Sequence, residues 1–392
     1  MIRNVLRAHR ASRFDVVFHA PFLGWALTRT APSPPGGAET QTLRLAKMLA
    51  QQGARIAIIC FGDAETPSHV EGVQIIKRAA YSGNGRLVGK VREALRLWQA
   101  LRRAPSAVVV HKCAGAELGV IGVFTRATRR RLVFSAENVI DFDFARLART
   151  RLEYLLYRAG ILLTNQIVVQ TEEQVALCER AFRRTPVVIK SLAEPSQRTE
   201  HRAEAFLWVG RLVWYKRPQD YLTLAKALPE AKFWMVGVPT AYPDDERAFG
   251  EQILEDARAI ANLELLSPRP QREIGQLMAR AVASVNTADF EGMPNVLLEA
   301  WCRGVPGLVL TYDPGGVVTR CGLGGFADGS MQRLIDLARE LWYSRGDRTD
   351  LAQRCQEYVS RNHAPGVVTT QWQDVLATPH PVHTTTDLRT RR

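Results

Sequence analysis

The 392 residues are enough for two domains of ordinary size, and 46% apolar with 23% charged content belongs to a folded soluble chain, not a disordered one. The net charge is +13, but residues 1–199 hold 30 Lys and Arg against 15 Asp and Glu, and the remainder 22 against 24, so an anionic partner is implied for the first half alone. Six cysteines (60, 113, 178, 302, 321 and 355) include no C-x-x-C pair, which argues against a zinc site or disulfide framework and fits a reducing cytoplasm.

The basic start lacks an apolar core of signal-peptide length. No window reaches the ~18 apolar residues of a membrane span. The nearest, 152–169, contains Glu153 and Arg158.

In chain order, 14–20 (FDVVFHA) reads as a buried parallel strand. A Pro- and Gly-rich loop at 21–37 leads to a helix at 38–52, with an apolar face of Leu43, Leu45, Ala46, Leu49 and Ala50 and a stop at Gly53. A strand at 55–61 completes a βαβ unit. Gly36 and Gly37 at the helix start have the general form of a phosphate cradle, where free N–H groups of the first turn favour anions; a plain loop is the alternative.

A strand at 73–77, a Gly-rich turn at 81–85 and a basic helix at 86–103 follow, the helix carrying Leu87, Val91, Leu95 and Trp98 along one face. Strands at 107–111 and 132–135 flank a helix at 115–125. A strand at 166–170, a helix from Thr171 and a strand at 186–189 close the first domain, 1–195. Arg126, Arg129, Arg130, Arg131, Arg146, Arg149, Arg151 and Arg158 make its surface basic. That surface is either a solvated face or one that binds an anionic acceptor or rests on anionic lipid, where each basic residue contributes roughly 1 kcal/mol. The apolar loop 21–27, with Phe22, Leu23 and Trp25, would help a lipid acceptor dock. No nucleic-acid module is recognisable.

A polar stretch near 192–203 reads as the interdomain linker, and 203–366 as a second α/β domain. Its opening strand, 205–209, ends in Gly210-Arg211-Leu212, followed by Lys216-Arg217-Pro218 and a helix to 228. A strand at 232–237 leads to a loop at 239–242. Next come a helix at 244–260, a strand at 263–266 and a helix at 271–280. A central strand then runs to Asn286, and 289–306 reads DFEGMPNVLLEAWCRGVP. Gly292-Met293-Pro294 is a turn signal and 295–301 a strong helix, so Glu291 falls on a loop at a strand's carboxyl end and Glu299 inside the next helix. In an open α/β sheet that edge binds ligands, and an acidic side chain there accepts hydrogen bonds from sugar or ribose hydroxyls. A strand at 307–310 and helices at 331–343, 351–362 and 367–377 follow; 378–392 reads as a frayed tail.

The stretch from Glu291 to Pro306 resembles the EGMPN…LLEA…G.P signature of family 4 retaining glycosyltransferases. The resemblance covers nearly the whole chain, more sharply in the second half. It implies the GT-B fold, two Rossmann-like domains with parallel sheets facing a cleft, and a terminal helix at 367–377 that crosses back to the first domain. It implies transfer of a sugar from a nucleotide sugar with retention at the anomeric carbon. Glu291 would lie against the sugar, with Gly292, Met293, Pro294 and Asn295 beside it, and Glu299 would hold the ribose. The GRL…K stretch resembles the family's diphosphate site, which gives that role to Arg211 and Lys216; two fixed cations stabilise the leaving group's charge without a metal. The GGAE context gives Gly36 and Gly37 a diphosphate contact. The loop at 239–242 would border the base pocket.

The resemblance departs at one point. Many members carry a histidine just after the strand matched here by 132–135, where this chain has Ser135-Ala136-Glu137-Asn138. Glu137, Asn138 and His111 are the candidates to meet a sugar hydroxyl instead; for His111 the alternative is a packed or surface histidine.

The function expected is transfer from a UDP- or GDP-sugar to an anionic lipid-linked or polysaccharide-precursor acceptor, with no cofactor or metal. The enzyme would be cytoplasmic and peripheral on the inner face of the membrane. The rivals are a non-catalytic partner subunit of the same fold and a nucleotide-sugar epimerase. The four charged residues 211, 216, 291 and 299 count against the first. The absence of an evident acid/base pair counts against the second.

Overall fold

The apolar runs of the first half become the strands of one sheet in the computed structural model, which describes residues 12–28, 36–79, 87–146, 148, 150–196, 202–240 and 244–378. These strands are β1 (Phe14–His19), β2 (Ile56–Phe61), β3 (His69–Val70), β4 (Val73–Arg78), β5 (Ser106–Lys112), β6 (Arg131–Ser135), β7 (Gln166–Val169) and β8 (Val187–Val188). Their order is β3-β4-β2-β1-β5-β6-β7-β8, and all pair in parallel except β3 with β4. Side chains alternate between two buried layers: Ile56, Ile58 and Cys60 of β2 on one face, Ala57 and Ile59 on the other.

The first face is covered by α2 (Gly37–Gln51), through Leu45, Ala46 and Leu49; α1 (Leu23–Ala26) is a single turn before it. The second face is covered by α3 (Leu87–Arg103), α4 (Glu117–Ala127), α5 (Arg151–Leu163) and α6 (Glu172–Phe182). Thr150 and Thr171 start the last two helices by accepting N–H bonds from Glu153 and Gln174.

The second sheet runs β11-β10-β9-β12-β13-β14, all parallel. Its strands are β9 (Ala205–Leu212), β10 (Phe233–Pro239), β11 (Leu263–Leu265), β12 (Ala281–Asn286), β13 (Gly307–Val309) and β14 (Gly324–Phe326). Its helices are α7 (Pro218–Ala227), α8 (Asp244–Arg258), α9 (Gln271–Ala279), α10 (Asn295–Cys302), α11 (Val317–Arg320), α12 (Met331–Tyr343) and α13 (Thr349–Asn362). In each sheet the strand order reverses at the first strand of the unit, β1 or β9, and such reversals open a crevice at the carboxyl ends.

The last helix, α14 (Pro365–Ala377), returns to the first domain. Val368, Trp372, Val375 and Leu376 join the layer around Ile58, and Arg131 donates to the carbonyls of Val375 and Leu376, both at 3.0 Å. The two crossings between domains lie side by side: His363 Nδ1 donates to the Ser191 carbonyl at 2.7 Å, and Ala193 N to the His363 carbonyl at 3.0 Å.

Several expectations shift. β9 extends three residues past 209 and takes in Arg211, and β3, α5 and β14 had no assignment. On α3 the expected face packs on the core only at Trp98, against Phe124. Val91 and Leu95 are exposed, and Leu97, Ala100 and Leu101 enter the core, because the helix docks on α4 through its carboxyl half. Leu23, read as an exposed docking residue, is fully buried, while Phe22 beside it is exposed. The basic start through residue 11, the turn at 81–85, Arg149, residues 241–242 of the loop expected at 239–242, linker residues 197–201 and the tail from 379 lie outside the described residues, as does the Trp25 side chain.

Candidate active site

Two loops of the second domain, one after β9 and one after β12, are stitched together at the sheet's carboxyl edge. The Thr287 hydroxyl donates to the Lys216 carbonyl at 2.6 Å and accepts from the Trp208 indole at 3.1 Å. Asp289 N donates to the Tyr215 carbonyl at 2.9 Å, and the Tyr215 and Phe290 rings stack with centroids 5.1 Å apart.

Arg217 closes the first loop with φ +48°, a left-handed conformation that costs a side-chain-bearing residue roughly 1–2 kcal/mol. Its guanidinium offsets that cost by donating to Asp220 Oδ2 (2.5 Å), Asp289 Oδ1 (2.9 Å) and Thr311 Oγ1 (3.2 Å).

The stitching brings Lys216 onto Glu291. Their side chains form an ion pair, both mostly buried. Arg211, exposed at the end of β9, donates to Tyr215 Oη at 3.2 Å, so its charge remains available to a ligand. Two residues past Glu291, Met293 N donates to Gln170 Oε1 of the first domain at 2.9 Å. Pro294 and Asn295 begin α10, which is anchored by the buried Leu297, Leu298 and Trp301. One turn on, Glu299 is 14% exposed; burial raises its pKa, and Arg44 and Arg303 pull it back.

From the first domain, α2 presents its N-terminus to this site. Gly36 is the N-cap and brings no side chain of its own, and in the first turn the Glu39 carboxylate accepts from its own backbone N–H. Glu39 folds back toward Gly36, and burial raises its pKa against the opposing charges of Arg211 and Lys112. Gly37 lies against α10, where a β-carbon would come within 2.5 Å of Asn295 Nδ2.

The structure thus brings together Gly36, Gly37, Arg211, Lys216, Glu291, Gly292, Met293, Pro294, Asn295 and Glu299. The three stand-ins for the absent histidine are placed differently. Glu137 borders the cleft, but its carboxylate is occupied by Lys112 Nζ (2.9 Å), Ser135 Oγ (2.9 Å) and Gln170 Nε2 (2.7 Å). Asn138 Oδ1 caps a one-turn 3-10 helix, Val139–Phe142, by accepting from Ile140 N.

His111 is buried on the α3–α5 side of the sheet, its Nδ1 2.9 Å from His19 Nδ1. Because Arg78 donates to His19 Nε2, His19 carries its proton on Nδ1 and donates it to His111. Burial depresses the His111 pKa to about 3.

Sequence reading missed Gln41, Arg44, Lys112, Gln170 and Arg217. Gln41 and Arg44 stand at i+4 and i+7 from Gly37, a helical spacing legible in advance, but polar residues on a helix read as solvent-facing. Among the described residues no group of three or more His, Cys, Asp or Glu side chains is arranged to hold a metal ion.

Two facing Rossmann-like domains, with a basic and acidic cluster where their carboxyl edges meet, define the GT-B class. Residues 36–193 match the family described as glycosyl transferase 4-like domain, and residues 192–355 match glycosyl transferases group 1. The chain belongs to the group 1 glycosyltransferases.

Solved structures share its fold. Sucrose-phosphate synthase from Thermosynechococcus elongatus is 12% identical, with 93% of this chain and 98% of that one covered and a TM-score of 0.75. HepE of Anabaena, solved with UDP and glucose, is 15% identical, with 94% and 100% covered and a TM-score of 0.72. WaaG, a glycosyltransferase involved in lipopolysaccharide biosynthesis, is 16% identical, with 93% and 100% covered and a TM-score of 0.64. No curated protein matches the chain by sequence.

Proposed function

We propose that the protein transfers a sugar, with retention, from a nucleoside-diphosphate sugar to a lipid-linked or polysaccharide-precursor acceptor. The observation that carries this reading is the Lys216–Glu291 ion pair beside Arg211, opposite the glycine-started N-terminus of α2. Without ligand the pair neutralises itself, so no buried charge is left alone. A donor diphosphate entering between Arg211 and Lys216 draws the lysine away and frees the Glu291 carboxylate to accept from a sugar hydroxyl.

As the glycosidic bond breaks, charge grows on the leaving phosphate, and Arg211 and Lys216 stabilise it. No enzymic nucleophile is placed under the anomeric carbon in this reading. The acceptor hydroxyl attacks on the face the phosphate leaves, and the phosphate takes its proton. These residues supply the cationic stabilisation, so no metal is required of the site. HepE is described in complexes with UDP and glucose and with UDP-glucose, which favours a UDP-sugar.

The acceptor side of the reading rests on α3, α4 and α5, which lie side by side on one face of the first domain. Val88, Val91, Leu95, Val123, Leu155 and Leu162 are exposed there, among Arg92, Arg102, Arg103, Arg126, Arg129 and Arg151. Apolar side chains interleaved with cations suit an anionic membrane surface, where each basic residue adds about 1 kcal/mol. No helix among the described residues is long and apolar enough to cross a membrane.

The test is incubation with UDP- and GDP-sugars and an anionic lipid-linked saccharide, followed by proton NMR of the anomeric signal. An α-configured donor should give an α-linked product. A β-linked product overturns retention, and no transfer from any donor overturns the acceptor assignment. Co-sedimentation with phosphatidylglycerol vesicles, reduced by Val91→Ser with Leu95→Ser, tests the membrane face.

A further inference from the structure

Gly37, Gln41 and Arg44 share one stripe of α2, at i, i+4 and i+7, and that stripe faces Asn295 and Glu299 of α10, themselves one turn apart. Gly37 leaves no room for a side chain beside Asn295. Gln41 Nε2 donates to Asn295 Oδ1 at 2.8 Å, and Arg44 Nη2 lies 3.5 Å from Glu299 Oε1. Gln271 Nε2, from α9 of the second domain, donates to the same Glu299 oxygen at 2.5 Å. Among the described residues, Glu299 Oε2 has no partner. One oxygen is gripped from two domains and the other is left open.

We propose that Arg44 is a positioning residue for ribose recognition: reaching across from the first domain, it fixes one oxygen of Glu299 and presents the other to the vicinal diol of the bound nucleotide. This rests on the donor-site reading that assigns ribose to Glu299. A carboxylate oxygen accepts two hydrogen bonds, so Oε2 alone can take both hydroxyls of a cis-diol. Arg44, with Arg303 at the C-cap of Glu299's own helix, also opposes the effect of burial on this carboxylate; the Arg303 Nη1 donates to the Glu299 carbonyl at 2.8 Å. The ribose pocket is thus completed by a residue of the opposite domain. An opened molecule would keep Gln271 on Glu299 but lose Arg44, so recognition of the diol is tied to closure.

Calorimetric titration of the full chain with UDP and GDP, and with their 2′,3′-dideoxy forms, tests this in wild type, Arg44→Met, Arg44→Lys and Glu299→Gln. Wild type should prefer the ribose form by about tenfold or more, the ratio that ~1.4 kcal/mol of hydrogen bonding gives. Arg44→Met, which keeps the aliphatic stem, should bring that ratio close to one while the dideoxy affinity stays near wild type; Arg44→Lys should restore most of it. If neither nucleotide binds, or wild type and Glu299→Gln show no preference for the diol, the ribose reading of Glu299 falls and takes the proposal with it. If the preference depends on Glu299 but survives in Arg44→Met, the ribose reading stands and the role of Arg44 is overturned. Circular dichroism confirms that each variant is folded.

Discussion

A β-carbon on Gly292 would lie 2.0 Å from the carbonyl oxygen of Glu137, which belongs to the opposite domain. The neighbouring Glu291 carbonyl accepts from Val139 N at 3.2 Å, so the signature loop packs backbone against backbone across the cleft. Gly292→Ala therefore holds the domains apart without disturbing either core. Its kcat should fall about 10²-fold, the cost of a displacement near 1 Å between reacting groups. Steady-state kinetics checks this, and small-angle scattering should show a larger radius for the variant.

Lys216→Ala removes the cation nearest the leaving phosphate. Turnover should drop by about 10²–10³, as for loss of one oriented electrostatic partner. Thermal stability should also fall, because Glu291 loses its buried partner, but the variant should stay folded, since the loop is still held by Thr287, Asp289 and Arg217. Lys216→Arg should recover part of the rate.

Asp141 is fully enclosed and accepts from Glu137 N (2.7 Å), Asn138 N (3.1 Å) and Ala114 N (3.2 Å). Asp141→Ala leaves three buried donors without an acceptor and releases the turn that carries Glu137 to the cleft. A loss of about 3 kcal/mol is expected in urea unfolding, the sum of individual penalties near 1 kcal/mol each.

The buried histidines make the fold acid-sensitive. Burial holds His363 at about 4 and His111 at about 3, against an ordinary 6.5, and depresses His19 as well. Below pH 6.5 the unfolded chain takes up protons that the folded chain refuses. Their stabilisation is whole above pH 6.5 and falls with pH down to the folded values. For His363 the full loss is about 3 kcal/mol. Asp141 acts in the opposite sense: burial raises it to about 6 from 3.8, so it adds stability as the pH falls through that interval. Glu39 and Glu299, also raised by burial, act in the same sense as Asp141, but the three histidines outweigh these carboxyls, and urea midpoints should decline between pH 7 and 4.5. His363→Asn, which keeps a donor for the Ser191 carbonyl, should flatten the decline.

How much was legible follows from which contacts are local. The strands β1, β2, β5 and β12 announce themselves as short apolar runs, and Thr171 and Pro218 mark helix starts by their own chemistry. Glu291 and Glu299 could be placed on their loop and helix because strand, turn and helix are contiguous there. The buried side of α3 was not legible, since Val91 and Leu95 repeat at helical spacing as well as Leu97 and Leu101 do, and only docking on α4 chooses between them. The partners of Glu137 come from β5, β6 and the end of β7, and Arg44 reaches a glutamate in the other domain. Such pairs leave no local pattern.

The central claim is that a nucleoside diphosphate binds between Arg211, Lys216 and Glu299. Isothermal titration of wild type and Lys216→Ala with UDP, GDP, ADP and CMP tests it most directly. The account predicts saturable binding of one nucleoside diphosphate to the wild type, weakened by at least about tenfold in Lys216→Ala, as expected when a charged partner worth ~1.4 kcal/mol or more is removed. Equal affinity in the two proteins, or no binding of any nucleotide to the wild type, would contradict it.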